Sequence, residues 1–163
     1  MVGGYMLAEA IVVIAVVLTA SAFTSNMFNV LTDMEQSSRE KINMMKKEVQ
    51  ARLEPVFLYV SENRSHIYFW VKNVGPSKIS HAEIELSEIF ILGREVFENP
   101  RYGREPPCWS YELVRDVYPD NGWSWGETLK ITIKLQTPLR NGEYLIRLAT
   151  PFTKTDHVFS VGM

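Results

Sequence analysis

The stretch HIYFWVKNVG (residues 66–75) decides the fold, because it alternates in character and then ends in turn-forming residues. Every second residue from Ile67 to Val71 is apolar, so these side chains fall on one side of an extended chain. Asn73 and Gly75 follow, and both residue types tolerate the left-handed backbone geometry of tight turns. The stretch therefore predicts a β-strand with one buried face that ends in a turn.

Short segments of the same kind surround this strand. PVFLYV precedes it across the polar connection 61–65, and this pair predicts a hairpin. Further segments follow, separated by Gly, Pro and Asn: HAEIEL, IFILG, WSYELV, ETLKITIKLQ, EYLIRLAT and HVFSV. Alternation is clearest in ETLKITIKLQ, and HAEIEL also reads as a strand. The spacing predicts that residues 55–163 form an all-β immunoglobulin-like antiparallel sandwich of 7–9 strands.

The chain before this domain has a different composition. Residues 5–30 form an apolar run that exceeds the roughly 20 residues needed to cross a membrane, and Glu9 is its one carboxylate. A stretch rich in Glu, Lys and Arg follows, with apolar residues at steps of three and four. With no Gly or Pro between the two, we expect one continuous helix over residues 5–53. The predicted domains are an apolar transmembrane or bundle helix (1–31), an amphipathic helical stalk (32–54) and the sandwich (55–163).

The composition and the missing motifs exclude several classes of function. The net charge of −2 provides no basic surface for nucleic acid, so no nucleic-acid partner is expected. The single Cys108 excludes an internal disulfide; a buried thiol is favoured over a bridge between chains. The sequence has no HxH, HExxH, GxSxG, GxGxxG or phosphate-loop motif. We therefore expect no catalytic residues, no metal site, no cofactor and no enzymatic activity.

Three segments resemble a known family: AEAI at the start of the helix, WVKNVG at 70–75, and WSWGETL at 123–129 followed by NGEY. They are similar to segments of the archaeal flagellum (archaellum) accessory proteins, in particular the membrane-anchored stator proteins called flagella-related G and F. The Ala-Glu pair and the membrane-length helix favour the G type. Two features depart from the family pattern: Trp125 stands where Pro is usual, and residues 94–109 form a long insertion.

The resemblance implies a non-enzymatic structural component of the archaeal motility apparatus. It implies a single pass through the cell membrane, with the sandwich on the extracellular side. It also implies self-association and, as partners, a related anchored stator subunit and a surface-layer protein. The charges do not support this orientation, since basic residues follow the apolar run and none precedes it.

A filament subunit is the alternative hypothesis. Precursors of type IV pilin-like proteins, including archaeal flagellins, are cut after a Gly and carry Glu at the fifth mature position. The sequence meets this spacing, because a cut between Gly4 and Tyr5 would leave Glu9 at position five. Against it, the short leader lacks the usual basic residues. A secretory signal peptide is a third interpretation, weakened by the same lack of basic residues and a poor cleavage site.

Four further residues are candidates for modification or binding. Asn63 begins an Asn-Arg-Ser sequon on the predicted hairpin turn, so it is a candidate glycosylation site. Trp109, Trp123 and Trp125 are predicted to form a partner surface, although large aromatic residues also fill the cores of small sandwiches.

Overall fold

The computed structural model describes the backbone of residues 2–114 and 121–162, and within these ranges the side chains from Glu9 onward. The chain divides into two compact units, Met1–Met45 and Lys46–Met163. Most of helix α1 (Val2–Gln50) belongs to the first unit, and its last residues, 46–50, begin the second unit. The predicted order of a long helix followed by a sandwich is confirmed.

Helix α1 ends earlier than predicted. Its last helical residue is Gln50, and Leu53 already pairs with Asn73 in the first strand. Pro55, expected to lie just beyond the helix, is instead inside that strand, at the edge of a sheet. An edge strand tolerates proline because one side of its backbone has no ladder to complete. The helical stalk is therefore shorter than the sequence predicts, and the sandwich begins before Pro55.

The hydroxyl side chains in the apolar half of α1 form hydrogen bonds within the helix itself. Hydroxyl groups donate to the carbonyl oxygen four residues earlier, as Thr19 does to Ala15 (2.6 Å) and Ser21 to Val17 (2.8 Å). Such internal pairing suits a segment without water, where an unpaired polar group is costly. Among the described residues, Glu9–Gln50 is one helix that is long and apolar enough to cross a membrane.

The second unit contains eleven strands and one short helix among its described residues. Four of the strands have only two residues each. The other seven are longer, and their number lies within the predicted range of 7–9. The elements are β1 (Leu53–Val60), β2 (His66–Asn73), β3 (Ile79–Ser80), α2 (His81–Glu85), β4 (Glu88–Gly93), β5 (Phe97–Glu98), β6 (Arg101–Tyr102), β7 (Cys108–Leu113), β8 (Gly122–Trp123), β9 (Thr128–Lys134), β10 (Gly142–Ala149) and β11 (Lys154–Val161).

The strands form two main sheets. One has the order β1-β2-β9-β7-β6 and the other the order β11-β10-β4-β5, while β3 and β8 form a separate pair. Neighbouring strands are antiparallel except β6 and β7, which are parallel. The predicted hairpin of β1 and β2 is present, with Val60 opposite Ile67. The prediction of an antiparallel β-sandwich is confirmed.

The core is built from the alternating residues that the sequence identifies. Phe69 and Ile131 are fully buried neighbours on β2 and β9. Ile91 and Ile146 are fully buried neighbours in the other sheet, and all four belong to one apolar cluster. The thiol of Cys108 is also buried, as expected.

One predicted strand is wrong. The segment HAEIEL contains the helix α2 (His81–Glu85) because a capping box begins there. The Ser80 hydroxyl accepts from the Glu83 backbone N–H (3.4 Å), and the Glu83 carboxylate accepts from the Ser80 N–H (2.8 Å). This reciprocal pairing satisfies two donors at the start of a helix, and it outweighs the alternation of apolar residues.

The buried Asn73 joins three parts of the sandwich. Its side-chain amide donates to the carbonyl oxygens of Ser77 and Trp123 (both 2.9 Å), and its Oδ1 accepts from the Gly75 N–H (3.1 Å). Its backbone N–H donates to the carbonyl oxygen of Glu127 (3.0 Å). The end of β2, the turn after it and the loop of residues 123–127 are therefore held by one side chain.

Gly75 permits the close approach of this turn to the end of α1. Its N–H and that of Val74 both donate to the Arg52 carbonyl oxygen (3.1 and 2.9 Å). A Cβ at Gly75 would overlap the carbonyl oxygen of Gln50 and the backbone nitrogen of Arg52. Only glycine fits between these backbone atoms.

Lys47, in the last turn of α1, is also tied to the sandwich. Its Nζ lies 2.6 Å from a carboxylate oxygen of Glu83 and 4.9 Å from the centre of the Phe152 ring. Burial acts to raise the pKa of Glu83, but the hydrogen bonds from Lys47 and Ser80 outweigh it, and the pKa lies below its usual value.

Replacing Asn73 with alanine should lower the free energy of unfolding by about 3 kcal/mol, because several buried polar groups lose their partners together. Chemical unfolding of the full chain in detergent micelles measures this difference. Lys72→Ala is the matched control, since Lys72 is the exposed neighbour on the same strand. Equal stability of the two variants would contradict the central role of Asn73.

The Glu83 carboxylate should make stability depend on pH. A carboxyl group whose pKa is lower in the folded state stabilises that state above its unfolded pKa, and this contribution disappears as the pH falls through the folded value. Glu83→Gln should therefore lower the Tm at pH 7, and this difference should shrink as the pH falls below about 4. Glu88→Gln, at an exposed position on β4, is the control and should show no such pH-dependent difference.

Candidate docking surface

The three predicted tryptophans do not form one surface. Trp109 and Trp123 are buried, with 1% and 0% of their surface exposed, whereas Trp125 is 62% exposed. Trp109 points inward from β7 beside Ile133, and the Trp123 ring N–H donates to the Glu127 carbonyl oxygen (2.9 Å). The predicted partner surface is wrong for these two residues, because both complete the core. Trp125 remains a candidate contact by itself.

Asn63 is exposed at the tip of the hairpin between β1 and β2. Its Oδ1 accepts from the Ser61 hydroxyl (2.6 Å) and from the Ser65 N–H (3.2 Å). The side chain thereby shapes the turn and lies at an accessible position. Glycosylation at Asn63 stays a prediction.

Glu9 lies on α1 with its surface exposed. Gly4 and Tyr5, the predicted processing positions, belong to residues 1–8, whose side chains are outside the described part of the chain. Cleavage between them, and the role of Glu9 in helix assembly, both stay predictions.

An aromatic cluster that the sequence does not single out covers the outer face of the β1–β2 hairpin. It consists of Phe57, Tyr59, Tyr68 and Trp70, which we call the aromatic strip. Phe57 lies opposite Trp70 in the strand register, with ring centres 5.3 Å apart. Tyr59 lies opposite Tyr68, with ring centres 6.0 Å apart. Tyr68 and Trp70 follow each other along β2 with centres 6.4 Å apart.

Strand geometry places the four rings on the outer face of the sheet, where Tyr59 is exposed and Tyr68 and Trp70 are half-buried. Side chains of β2 alternate, so Phe69 enters the core while Tyr68 and Trp70 point outward. An irregularity between Pro55 and Phe57 shifts the register of β1 and places Phe57 opposite Trp70. Phe57 is 56% exposed. Large aromatic rings on the outer face of an edge hairpin are typical of a protein-binding surface.

Charged residues border the strip on the next strand. Lys130 Nζ lies 5.7 Å from the centre of the Tyr68 ring and 2.6 Å from a carboxylate oxygen of Glu112. Lys72 and Lys134 are exposed on neighbouring strands. The surface therefore combines apolar rings with a partly basic border, which suits a protein partner that offers an apolar pocket and acidic groups.

A cluster of polar groups beside α2 is structural in character. His81 Nδ1 lies 3.0 Å from the Tyr111 hydroxyl, and the two rings stack. Burial, with the nearby Tyr102 and Glu85, raises the pKa of Tyr111 to about 12. A hydroxyl with this pKa stays protonated at neutral pH and serves as a hydrogen-bonding group. Within the described residues, no group of three or more His, Cys, Asp or Glu side chains could hold a metal ion.

Comparison with known proteins gives both sequence and structural matches. A family model described as archaeal-type flagellin matches residues 3–158. An uncharacterized protein from Archaeoglobus fulgidus is 22% identical over 131 residues, which is 79% of this chain and 79% of that protein.

Two solved structures share the fold. The archaellum periplasmic stator protein FlaG from Sulfolobus acidocaldarius matches with a TM-score of 0.55 and 20% identity, over 67% of this chain and 99% of that one. The complex of the stator proteins FlaF and FlaG from the same organism gives a TM-score of 0.54 and 22% identity, over 66% of this chain and 87% of that one. Because their sequence identities to this chain are low, these two structures show that the fold is shared and show nothing further.

The family match extends from the apolar helix to the last strand. It confirms the resemblance to archaeal flagellum proteins that the short motifs predict, and it supports a non-enzymatic component of the archaeal motility apparatus. The chain belongs to the archaeal-type flagellin family.

Proposed function

We propose that this protein is a stator component of the archaeal motility apparatus, anchored in the cell membrane by α1 with its sandwich outside the cell. The length and apolar composition of Glu9–Gln50 support the anchor. The shared fold with a protein described as a periplasmic stator supports the outside location of the sandwich. Its role would be mechanical, holding neighbouring proteins through contacts of the sandwich.

The aromatic strip is the observation that carries this proposal. A stator needs a surface that binds a second protein, and the strip is a cluster of exposed and half-buried aromatic rings on the outer face of one hairpin. Rings on a sheet are already ordered by their neighbours, so binding them costs little conformational entropy. The proposed partners are a related anchored stator subunit, a surface-layer protein and further copies of this chain. The solved complex of FlaF with FlaG provides a precedent for pairing between related subunits.

A filament subunit is the second candidate function. The family description, archaeal-type flagellin, favours it, and so does the position of Glu9 as the fifth residue counted from Tyr5. In a bundle of apolar helices, a free amine at Tyr5 would pair with the Glu9 carboxylate, and a paired charge costs much less than an isolated one.

The native N-terminus distinguishes these two functions. A stator anchored by an uncut helix should retain residues 1–4 in an intact-mass measurement of the protein isolated from its own membrane. A chain that begins at Tyr5 would overturn the stator proposal. As a second measurement, Glu9→Ala should leave membrane anchoring intact in a stator but impair polymerisation in a filament subunit.

Substitution in the aromatic strip tests the docking role. Trp70→Ala should weaken binding of the related stator subunit, reconstituted in the same nanodisc, by at least about thirtyfold, or about 2 kcal/mol. Trp125→Ala is the matched control, because it removes an exposed tryptophan outside the strip.

Circular dichroism of both variants would confirm that the sandwich stays folded. Unchanged binding by Trp70→Ala would contradict the proposed docking surface. If only Trp125→Ala weakened binding, the partner would contact the loop of residues 123–127 instead.

A further inference from the structure

The opposite sheet carries a second exposed apolar surface. Val158, Leu145, Leu92 and Phe97 lie side by side on β11, β10, β4 and β5, in direct register. We call these four residues the apolar row. It crosses the whole four-stranded sheet on its outer face.

The row is exposed in the structure. Val158 is 64% exposed, Leu92 is 39% exposed and Phe97 is 67% exposed. Phe90, one pleat along from Leu92 on the same face, extends the apolar surface, with its ring centre 6.2 Å from that of Phe97. The outer face of an antiparallel sheet normally carries polar residues. A continuous apolar band across four strands therefore indicates a surface that another protein covers.

The charges beside the row are the second observation. Arg147 and Asp156 face each other on β10 and β11, in the next register position from Leu145 and Val158. They form two parallel hydrogen bonds, from Nε to Oδ1 and from Nη2 to Oδ2, each 2.7 Å long. About 38% and 39% of these side chains remains exposed. A patch that carries one positive and one negative charge is complementary to a copy of itself, because each charge can face the opposite charge of the copy.

We infer that the apolar row is the surface through which a second copy of this chain packs, about a two-fold axis. In such an isologous contact the same patch is used twice, so Arg147 of one copy would approach Asp156 of the other. The axis would run between β10 and β11, so Leu145 of one copy would stack on Val158 of the other, as facing sheets stack inside a sandwich, and Leu92 and Phe97 would flank this centre. This inference deepens the proposed self-association by naming its surface.

The size of the surface indicates how strong the contact is. The four strands have 8, 8, 6 and 2 residues, a combined length of about 80 Å, and at a spacing of about 4.8 Å they present roughly 400 Å². A stable interface between free proteins buries about 800 Å² on each partner. The contact is therefore weak between free chains, and it depends on anchoring of both copies in one membrane, which raises their effective concentration.

Crosslinking in membranes tests the inference. The only native cysteine, Cys108, is buried, so an introduced cysteine reports its own position. Val158→Cys, beside the axis, should give crosslinked dimers with a short bismaleimide reagent. Phe57→Cys is the matched control on the aromatic strip, with 56% exposure against 64% for Val158. It should give at least fivefold less crosslinked dimer.

A charge exchange separates contacts between copies from contacts within one chain. In the Val158→Cys background, Arg147→Asp and Asp156→Arg each place two like charges on the patch, so each alone should lose at least fivefold of the crosslinked dimer. When the two variants carry different tags and share one membrane, mixed dimers should return to the level of the unaltered patch. The ion pair within each chain is broken in both variants, so only pairing between copies can produce this recovery.

Three outcomes would overturn the inference, and the first two differ in what they say about self-association. If Phe57→Cys crosslinks and Val158→Cys does not, the chain self-associates through the aromatic strip. If neither position crosslinks, the proposed self-association fails as well. A mixed dimer no more abundant than the single-variant dimers would also exclude the two-fold contact.

Discussion

The architecture of the sandwich depends on the complete burial of one amide side chain, Asn73. A buried polar group is tolerated only when its donors and acceptors are paired, and the partners of Asn73 lie in segments far apart in sequence. Since Trp123 is one of these partners, the loop of residues 123–127 must close against the end of β2. Since Gly75 is another, the following turn must pass against the end of α1. The same side chain thus fixes where the helix stops and where β9 begins.

This arrangement gives two sequence motifs, WVKNVG and WSWGETL, a role in the fold. In the structure they form the two sides of one hydrogen-bonded junction, with Trp123 buried and its ring N–H bonded to Glu127. Each motif also leaves one tryptophan at the surface, because Trp70 lies in the aromatic strip and Trp125 is 62% exposed. The turn residues of both motifs therefore hold the junction, and the proposed contacts with partners lie beside it.

The sequence predicts the helix, the hairpin and the core residues because each depends on local periodicity. Phe69 and Ile131 are identifiable as core residues from alternation alone, and both are fully buried. The segment starting at His81 is misread because alternation over five or six residues does not separate a strand from a helix. The Ser80 and Glu83 capping box was the available signal.

The docking surfaces are harder to predict, since they depend on register between strands. Tyr68 and Trp70 can be placed on an outer face from the sequence, but their contact with Phe57 requires the irregular pairing of β1. The apolar row depends on pairing even more strongly. Phe97 belongs to the insertion of residues 94–109, which no local pattern assigns to the sheet of β4.

The two surfaces have a joint consequence because they lie on opposite sheets of one sandwich. A two-fold contact through the apolar row is closed, so it produces a dimer and leaves both aromatic strips free. Each dimer would then hold two partner proteins, and two weak contacts to a shared assembly resist dissociation far better than one. A stator, the role proposed for this chain, would benefit from this division of the load that a motor places on it. Burial of apolar residues between copies and exposure of aromatic rings toward partners would then be complementary parts of one mechanical role.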